Sequence, residues 1–396
     1  MRCPVIVIPA FSRGDSLKRL LDSISVAYFP DEKIKIIISL DGGYSDDVYQ
    51  VATDFADNFT IADVEVIARE ENLGLRKHIL LCGDFSILHG SCIVLEDDLI
   101  VSKTFYLFAC QANTKYSDND NIAGISLYAQ RYNEYANLPF EPNTKRKTDV
   151  YFMQVACSWG QVWSKEQWIA FKKWYEDNLD IDLLKYPCIP KTVALWPNSS
   201  WKKYYSSYLI LNNKYYVYPY VSFSSNCADN GGTHNINSLN TVQVPLNYDE
   251  EYLSSFLFSS LDDKSILYDG FMEPILSENK YIFGINSKDI QIDLYGTKPV
   301  NLLLRSKYSI SSKNNIDPIA TFPLRFKTIE NNLYHTLNNS DKGFFSLNYS
   351  SRFIIENYHT KRIRNFKLLE YFNYSHMINK SFIYGLLFKY LNKFIK

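Results

Sequence analysis

The sequence predicts an α/β protein with a mainly parallel sheet flanked by helices, and three observations support this prediction. From Val5 to about Tyr128, runs rich in β-branched residues alternate with stretches of helical periodicity. The chain has 396 residues, enough for two or three domains, and 46% of them are hydrophobic, enough for a sizeable core. From about Asn247 the pattern weakens to short segments with turn signals, so an additional C-terminal region of unassigned fold is expected.

Hydrophobic periodicity gives the order of elements in the first half. Five β-rich runs predict strands, and the segment after the first run has apolar residues at the i, i+3, i+4 and i+7 positions of an amphipathic helix. The phosphate-binding patterns GxGxxG and GxxxxGK[ST] do not occur. The predicted strands are "VIVIPA", "KIKIIISL", "VEVIARE", "CIVLEDD" and "IAGISLY"; the predicted helices contain Leu17, Leu20, Leu21 and Ile24, then Leu75–His89, then Lys103–Lys115 with Ser102 as N-cap.

The second half begins with a polar segment and continues with an aromatic region. Residues 131–149 are polar and contain prolines, which predicts a surface loop. Ser164 and Gln167 have the spacing of a capping box at the start of a helix. Residues 199–210 are predicted to form another helix, and residues 214–223 a strand.

Charge and cysteine content narrow the class of protein. Because 42 Lys and Arg residues oppose 43 Asp and Glu residues, no overall field attracts nucleic acid. Seven cysteines occur singly, without a CxxC pair, which favours free thiols in a reducing cytosol over disulfides or a zinc site. The N-terminal apolar run is too short for a signal peptide or a membrane span. A cytoplasmic location is therefore expected.

The last segment, residues 361–396, differs in composition from the rest. Its basic residues are interleaved with apolar ones, and Glu370 is its only acidic residue. A basic amphipathic helix can lie in the interface of an anionic membrane, which predicts peripheral attachment at the inner face of the cell membrane. A C-terminal helix docked on the protein's own core explains the pattern equally well, and both alternatives remain open.

The stretch "IVLEDDLIVS" places Glu96, Asp97 and Asp98 between two apolar runs. Burial of an unpaired carboxylate is costly, so these side chains must contact water, cations or a metal. They follow a predicted strand, and open α/β sheets bind ligands outside the carboxyl ends of their strands. Oxygen ligands there suit Mg²⁺ or Mn²⁺ with a nucleotide diphosphate. An acidic cluster that interacts with the dipole of the following helix is the alternative, and the triplet alone does not decide between them.

Four motifs in order resemble those of nucleotide-sugar glycosyltransferases of the GT-A fold, and among them the N-acetylglucosaminyltransferase I family. "CPVIVIPAFSR" places Arg13 after the first strand, "IIISLDGG" places Asp41 after the second, and "NLGLRKHILLCGDF" places His78 on a helix. "VLEDDLIVSKTF" is similar to the metal motif of that family. Looser similarity extends the resemblance to residues 1–246. It implies a GT-A-type sheet and a bacterial relative of that family.

The resemblance also implies residue roles. Asp98 would be the direct ligand of Mn²⁺ or Mg²⁺, with Glu96 and Asp97 as ribose, metal-water or structural partners. Arg13 would contact the base or a phosphate, where its planar fork suits it better than a lysine. Asp41 would recognise uracil, although Asp-Gly-Gly is also strong turn chemistry.

Other roles depend on weaker similarity. His78 would bind the nucleotide sugar, or it is a hydrogen-bonded core histidine. His234, in "GGTHN", would belong to a lid over the diphosphate or to a plain surface loop. In the resembled family a tryptophan-flanked acidic pair supplies the catalytic base, but Ser199 and Ser200 stand there in this sequence. Asp229 is the remaining candidate for the base. Trp159, Trp163 and Trp201 are candidates for stacking on sugar rings or for the core.

The predicted function is metal-dependent transfer of a sugar from a UDP-sugar to an acceptor hydroxyl, with inversion, by a hexosyltransferase or N-acetylhexosaminyltransferase. The expected acceptor is a glycan or lipid-linked glycan of a bacterial O-antigen or capsule. The alternatives are a sugar nucleotidyltransferase, whose Gly-rich phosphate loop is missing from "PAFSRGDS", and a catalytically silent nucleotide- or carbohydrate-binding protein. The expected division is 1–130 for the nucleotide-sugar half, 131–246 for the acceptor half, 247–360 for the C-terminal region and 361–396 for the basic tail.

Overall fold

The computed structural model of the protein divides into two compact units, which are described separately. The first unit comprises Met1–Tyr132 and Pro142–Ser277, and the second comprises Asn133–Glu141 and Glu278–Lys396. The boundary expected near residue 246 therefore falls inside the first unit. The structure describes residues 3–30, 34–144, 148–229, 242–248, 255–262, 264–277, 280–313, 317–334, 343–352 and 358–372.

Short strands separated by helices make up the first part of the chain. The strands up to residue 277 are β1 (Val5–Ala10), β2 (Ile34–Leu40), β3 (Ala62–Ala68), β4 (Ser91–Val94), β5 (Leu99–Val101), β6 (Ile122–Ser126), β7 (Tyr132–Asn133), β8 (Leu138–Pro139), β9 (Val150–Met153), β10 (Gln161–Ser164), β11 (Tyr215–Pro219), β12 (Ser224–Asn226), β13 (Leu267–Tyr268) and β14 (Pro274–Ile275). The helices over the same range are α1 (Gly14–Ser25), α2 (Asp46–Asn58), α3 (Gly74–His89), α4 (Phe105–Tyr116), α5 (Lys165–Asp177), α6 (Lys191–Leu195) and α7 (Trp201–Leu211).

In the described part of the first unit, ten strands form one mixed, mainly parallel sheet. Its order is β14-β13-β9-β11-β6-β10-β4-β1-β2-β3. Strands β3, β2, β1 and β4 run parallel to one another, and β10 pairs with β4 in the antiparallel sense. Strand β12 pairs with β5 in a separate two-stranded sheet. The predicted fold class, a mainly parallel sheet flanked by helices with an additional C-terminal region, is confirmed.

The helices of the first unit bury the faces that their periodicity predicts. The four apolar residues predicted to line the inner face of α1 are all buried in the core with β1 and β2. Helix α5 begins with the predicted capping box of Ser164 and Gln167. The predicted N-cap of α4 is wrong: the cap position is Thr104, and no side chain caps this helix. Ser102 lies too early because residues 103 and 104 form a turn before the helix begins.

Residues 131–149 are not simply a surface loop. The segment contains β7 and β8, and Leu138 and Phe140 are buried. These two apolar residues are two positions apart, as residues on one face of a strand are. The strand was not predicted because the residues around them are mostly polar. The part Asn133–Glu141 belongs to the second unit, where the Tyr295 hydroxyl donates to the Pro139 carbonyl oxygen at 3.2 Å.

The second unit is built on a smaller sheet of four strands. Its apolar face carries Ile292, Ile310 and Leu347, all buried, whereas its other face carries the buried Asp293. The elements after residue 277 are β15 (Tyr281–Ile282), β16 (Ile285–Asn286), β17 (Ile290–Asp293), α8 (Val300–Leu303), β18 (Tyr308–Ser311), β19 (Ala320–Phe322), β20 (Phe345–Tyr349) and α9 (Tyr358–Tyr371). The strands β17, β18, β20 and β19 lie in that order in the sheet, with β17 parallel to β18 and the other pairs antiparallel.

Candidate active site

The acidic triplet lies in the turn between β4 and β5. Strand β4 ends at Val94, so the alternation of side chains along a strand does not apply to Glu96, Asp97 and Asp98. The turn closes with a hydrogen bond from the Leu99 N–H to the Glu96 carbonyl oxygen at 3.2 Å. Asp97 and Asp98 are buried, and Glu96 is half-buried. The triplet therefore stands at the carboxyl ends of parallel strands β1 and β4, the edge at which such sheets bind ligands.

Arg13 brings a cation to this triplet from the loop after β1. Its Nε lies 3.3 Å from Asp97 Oδ2 and its Nη1 lies 3.0 Å from Asp98 Oδ2, while its Nη2 also contacts Asp97. Burial disfavours the guanidinium charge, but the charges of Asp97 and Asp98 outweigh that effect and raise the pKa of Arg13. Arg13 thus stays cationic and neutralises part of the triplet.

Burial also shifts the carboxyl groups of the triplet. It raises the pKa of Glu96 to about 8, and the charges of Asp98 and Asp97 add to this rise. Burial raises the pKa of Asp97 to about 6, although Arg13 opposes the change. Glu96 as a residue is half-buried, but its carboxyl group is surrounded by protein, and this local burial causes the rise of its pKa. A further cation at this edge would favour the ionised forms.

One oxygen of the triplet is placed to bind a metal. Asp98 Oδ1 is buried and has no hydrogen-bond partner among the residues that the structure describes. Within the same residues no group of three or more His, Cys, Asp or Glu side chains is arranged to hold a metal ion. Mg²⁺ and Mn²⁺ are commonly held by one or two carboxylates, with phosphates and water completing the shell. Asp98 therefore fits a divalent cation that takes most of its ligands from a bound diphosphate.

A second segment reaches the triplet through strand β12. The Cys227 N–H donates to the Asp98 carbonyl oxygen at 2.9 Å. Two residues later, Asp229 accepts hydrogen bonds from Ser16 Oγ at 2.6 Å and from the Arg19 guanidinium. Partial burial opposes ionisation of Asp229, but the bonds from Arg19 and Ser16 outweigh it and lower its pKa. The carboxylate is ionised at neutral pH, as a general base must be, and its basicity is weak.

Asp41 connects β2 to the start of α3. Its Oδ1 accepts from the N–H groups of Gly42 and Leu73 at 3.1 and 2.8 Å, and its Oδ2 accepts from the Gly74 N–H at 3.0 Å. The turn is tight, because a side chain on Gly42 would overlap the backbone of Glu71. The structure thus gives Asp41 a positioning role at the carboxyl edge of the sheet, and its predicted contact with uracil remains a prediction.

His78 lies beneath the same edge and is buried. Its Nε2 is 2.8 Å from Ser39 Oγ. Burial lowers the pKa of His78 to about 4, helped by the charge of Arg69 and opposed by that of Asp41. The imidazole is therefore neutral at pH 7 and is hydrogen-bonded in the manner of a core histidine. His234, the other predicted histidine, lies outside the described residues.

The predicted aromatic contacts divide into two groups. Trp163 and Trp201 are buried and pack edge to face with their ring centroids 5.6 Å apart, so they belong to the core and cannot stack on a sugar. Trp159 is half-buried. Ser200 caps α7 by accepting from the Lys203 N–H, which accounts for the serine at the position where the resembled family has an acid.

Two groups near the site could not be recognised in the sequence. Arg19 lies on the amphipathic helix α1, where no sequence pattern distinguishes an arginine of a site from one on the surface. Its hydrogen bond to Asp229, seen in the structure, shows that it lies near the site. Lys202 directly follows Trp201 in "SSWKKYY", and its positive charge is among the causes that lower the pKa of Glu96. The family resemblance predicts an acid near this place, whereas a lysine at the start of a helix is typical of a solvent-exposed surface.

Comparison with known proteins gives one family match and several structural likenesses. The model of the family "Glycosyl transferase family 2" matches residues 5–82, which run from β1 into α3 and end before the acidic triplet. No curated protein matches the sequence.

The structural likenesses are distant, and each covers less than two thirds of the similar chain. A mannosyltransferase from Pyrobaculum calidifontis, solved with GDP-Man and Mn²⁺, is 9% identical over 58% of this chain and 58% of that chain, with a TM-score of 0.38. Residues 1–349 of TarS from S. aureus are 13% identical over 51% and 54% of the two chains, with a TM-score of 0.32. GalNAc-T7, solved with UDP, GalNAc and Mn²⁺, is 12% identical over 55% and 42%, with a TM-score of 0.39.

Proposed function

We propose that the protein is a nucleotide-sugar-dependent glycosyltransferase of GT-A type that uses Mn²⁺ or Mg²⁺. The observation that carries this proposal is the unpartnered Asp98 Oδ1 at the carboxyl edge of the parallel strands. The family match supports it, because it covers β1 and β2, two of the parallel strands whose carboxyl ends form this edge. The predicted donor is a UDP-sugar, and the predicted acceptor is the hydroxyl group of a glycan or lipid-linked glycan.

The residues of the site can act together in such a transfer. Arg13 can donate two hydrogen bonds to a phosphate when a cation takes its place beside Asp97 and Asp98. Asp98 would hold the cation, which when bound would stabilise the negative charge of the leaving diphosphate. Asp41 positions the loop before α3, where the base of the nucleotide would lie, and His78 on α3 contacts Ser39 of β2, two residues before Asp41.

The acceptor hydroxyl would need a general base for in-line, inverting attack. Asp229 is the proposed base, because it stands on the segment that contacts Asp98 and is ionised at neutral pH. Its weak basicity is consistent with a base that accepts the proton as the bond to the sugar forms, rather than before. The proposed hexosyl or N-acetylhexosaminyl specificity and the role in a bacterial O-antigen or capsule rest on the sequence resemblance.

We also propose that residues 361–396 make peripheral contact with a membrane. The structural support comes from residues 361–372, the part of this segment that the structure describes. Helix α9 buries Leu368, and Phe372, directly after the helix, is buried as well. Its opposite side exposes Ile363, Phe366 and Leu369, at i, i+3 and i+6. Thus the two alternatives raised by the sequence are compatible: one side of the helix docks on the protein, and the other offers apolar area to a lipid surface. No helix in the described ranges is long and apolar enough to cross a membrane.

The function can be tested with thermal unfolding and UDP release. Wild-type protein is expected to be stabilised by a UDP-sugar with Mn²⁺, by about 3 kcal/mol at one hundred times the dissociation constant, and not by the nucleotide with EDTA. Asp98→Asn should abolish the metal-dependent part, because it removes the anionic ligand oxygen. Asp22→Asn, at an exposed carboxylate paired with Lys18, is the matched control and should behave like wild type.

The outcomes separate the proposal from its alternatives. If no UDP-sugar stabilises the wild-type protein, or if stabilisation survives both EDTA and Asp98→Asn, the metal-diphosphate site is disproved. Release of UDP on addition of a glycan acceptor distinguishes a transferase from a silent binding protein. Release of pyrophosphate from UTP and a sugar phosphate would instead identify a nucleotidyltransferase.

A further inference from the structure

The hairpin of β15 and β16 in the second unit ends in an exposed aromatic residue with an unfavourable backbone conformation. Its turn consists of Phe283 and Gly284, whose φ angles are both positive, 49° and 76°. Two-residue turns of this kind favour Asn or Gly, because the Cβ of a bulky residue is crowded at positive φ. Phe283 is nevertheless present there and is 50% exposed. The hairpin therefore keeps an apolar ring at the surface at a conformational cost.

Further aromatic and cationic side chains accompany this turn. Tyr281, two residues before Phe283, is 67% exposed, and Tyr334 is 37% exposed. The Nζ atom of Lys280 lies 4.2 Å from the centroid of the Tyr334 ring, within the range of a cation–π contact. Lys288 follows β16 on the same hairpin. These five residues, Lys280, Tyr281, Phe283, Lys288 and Tyr334, are called the hairpin patch.

The hairpin is fixed to the second unit by its other residues. Ile282, between the two exposed aromatic residues, is buried and pairs with Ile285 across the hairpin. The ring of Phe283 packs edge to face on the buried Phe322, with the centroids 5.7 Å apart. The Ser287 N–H donates to the Lys280 carbonyl oxygen at 3.0 Å and closes the base of the hairpin. The patch is therefore presented on a packed support.

The charge of the hairpin patch is complementary to an anionic surface. Lys280 and Lys288 are exposed, and neither ammonium group forms an ion pair within the residues that the structure describes. Asp289, the acid next to Lys288, is half-buried. Exposed apolar area beside cations suits the interface of an anionic bilayer, where apolar burial and charge attraction act together. Aromatic side chains are favoured at the level of the lipid head groups.

The hairpin patch is connected to α9, whose exposed side is proposed above to contact lipid. Residues 325–334 link the two elements. At one end of this segment Tyr334 contacts Lys280, and near the other end the Phe326 carbonyl oxygen accepts from the Tyr371 hydroxyl of α9 at 2.7 Å. Asn332 Nδ2 also donates to the Phe326 carbonyl oxygen, at 2.8 Å, which ties the segment together. The hairpin and α9 thus belong to one packed part of the second unit.

We propose that the hairpin patch binds the surface of an anionic lipid bilayer, with Phe283 and Tyr281 among the head groups and Lys280 and Lys288 against their negative charges. The inference rests on the membrane contact proposed for α9 and adds a second contact on the same unit. Two linked contacts bind more tightly than either alone, because the first raises the effective concentration of the second at the surface. The second unit, rather than α9 alone, is then the part of the protein that binds the membrane.

Sedimentation of the full-length protein with lipid vesicles tests the proposal. The vesicles consist of phosphatidylcholine with phosphatidylserine, and of phosphatidylcholine alone as the neutral reference. Phe283→Asn should weaken binding to the anionic vesicles about tenfold, because the apolar ring is lost. Asparagine suits a positive φ angle, so the urea midpoint of this variant should equal or exceed that of the wild type. A merely structural role of Phe283 predicts the opposite, a lower midpoint with unchanged binding.

Charge variants and a matched control complete the test. Lys280→Gln/Lys288→Gln should weaken binding to the anionic vesicles by about fivefold for each lysine and leave binding to the neutral ones unchanged. Tyr186→Asn, at a 39% exposed aromatic residue of the first unit, should bind like the wild type.

The outcomes separate this inference from the contact proposed for α9. If the Phe283 and lysine variants bind anionic vesicles as the wild type does, while Ile363→Glu/Phe366→Glu does not, the hairpin contact is overturned and the α9 contact stands. A wild-type protein that does not bind anionic vesicles would refute both contacts and would leave the glycosyltransferase proposal untouched, because that proposal is tested by nucleotide binding.

Discussion

His78 shows how a single buried side chain links the candidate site to pH. Its ring is buried against Ser39, and its pKa falls from an ordinary value near 6.5 to about 4. Between these two values the unfolded chain binds a proton that the folded protein does not. Stability contributed by the neutral ring is therefore complete above about pH 6.5 and is lost as the pH falls towards 4.

The corresponding prediction concerns the difference between wild type and His78→Gln. We expect the free energy of unfolding of the wild type, relative to the variant, to decrease by about 2–3 kcal/mol from pH 7 to pH 4. Glutamine can still hydrogen-bond with Ser39 but does not titrate. Urea unfolding of both proteins at a series of pH values measures this difference in the free energy of unfolding. Glu96 and Asp97 titrate in both proteins, so their contributions cancel in the difference. A difference independent of pH would show that folding leaves the pKa of His78 unchanged.

Individual site residues were predictable from the sequence where the chemistry of a position is local. The acidic triplet could be recognised as a site because three adjacent carboxylates between apolar runs need a cation, a metal or water. Its ion pair with Arg13 could not be derived, because the two are separated by 84 residues in sequence and meet only because β1 and β4 are neighbours in the sheet. The pairing of Asp229 with Arg19 spans 210 residues and was missed for the same reason.

At the scale of elements, the contact between α3 and α5 depends on a glycine. An added Cβ on Gly83 would overlap the indole ring of Trp168, whose Nε1 donates to Asp84 Oδ1 at 2.7 Å. The ring is held in place by that bond and by its packing against the rings of Trp163 and Phe171, so it cannot move aside at low cost. The glycine is thus a packing requirement within a helix that would otherwise favour alanine.

We therefore expect Gly83→Ala to destabilise the protein by about 1–3 kcal/mol, the usual cost of overpacking. Helix propensity alone predicts the opposite sign, a gain of about 1 kcal/mol. Chemical denaturation measures the change, and Lys77→Ala, at an exposed position of the same helix, is the control and should be nearly neutral. A stabilised Gly83→Ala protein would contradict the close packing of α3 on α5.

Elements were predictable from the sequence in proportion to their length and periodicity. Helix α1 has four buried apolar residues at helical spacing and was found; α2 buries only Val48 and Ala52 and was missed. The end of β4 was placed too late because Leu95 continues the apolar run past Val94. Beyond residue 246 many strands have two to four residues, which is too short for a period of two to be distinguished from chance.

At the scale of the whole molecule, α9 offers a surface that a soluble domain would ordinarily cover. Ile363 and Phe366 are 45% and 58% exposed, and Lys367 lies beside them on the same exposed side. Apolar area flanked by cations suits the interface of an anionic bilayer, where buried apolar area and charge attraction act together.

In the full chain, the double variant Ile363→Glu/Phe366→Glu should therefore reduce binding to vesicles that contain anionic lipid. We expect a loss of at least about tenfold in the partition coefficient, because two apolar contacts are replaced by two negative charges. Sedimentation with vesicles of phosphatidylserine and phosphatidylcholine measures it. The same substitutions at exposed apolar residues distant in sequence, Leu184→Glu/Leu195→Glu, are the control. Equal binding by wild type and the α9 variant would exclude this side of α9 as the contact.

The ion pair between Arg13 and the two aspartates has a consequence for the order of events at the site. Arg13 already contacts both oxygens of Asp97 and one of Asp98, so Asp98 Oδ1 is the aspartate oxygen of the triplet left without a hydrogen-bond partner among the described residues, and a metal ion arriving alone meets a partly neutralised site. A metal ion that arrives with a diphosphate brings its own ligands and gives Arg13 a new anionic partner. Each ligand should therefore raise the affinity of the other by the same factor, and the protein should take up metal and nucleotide as one cooperative unit.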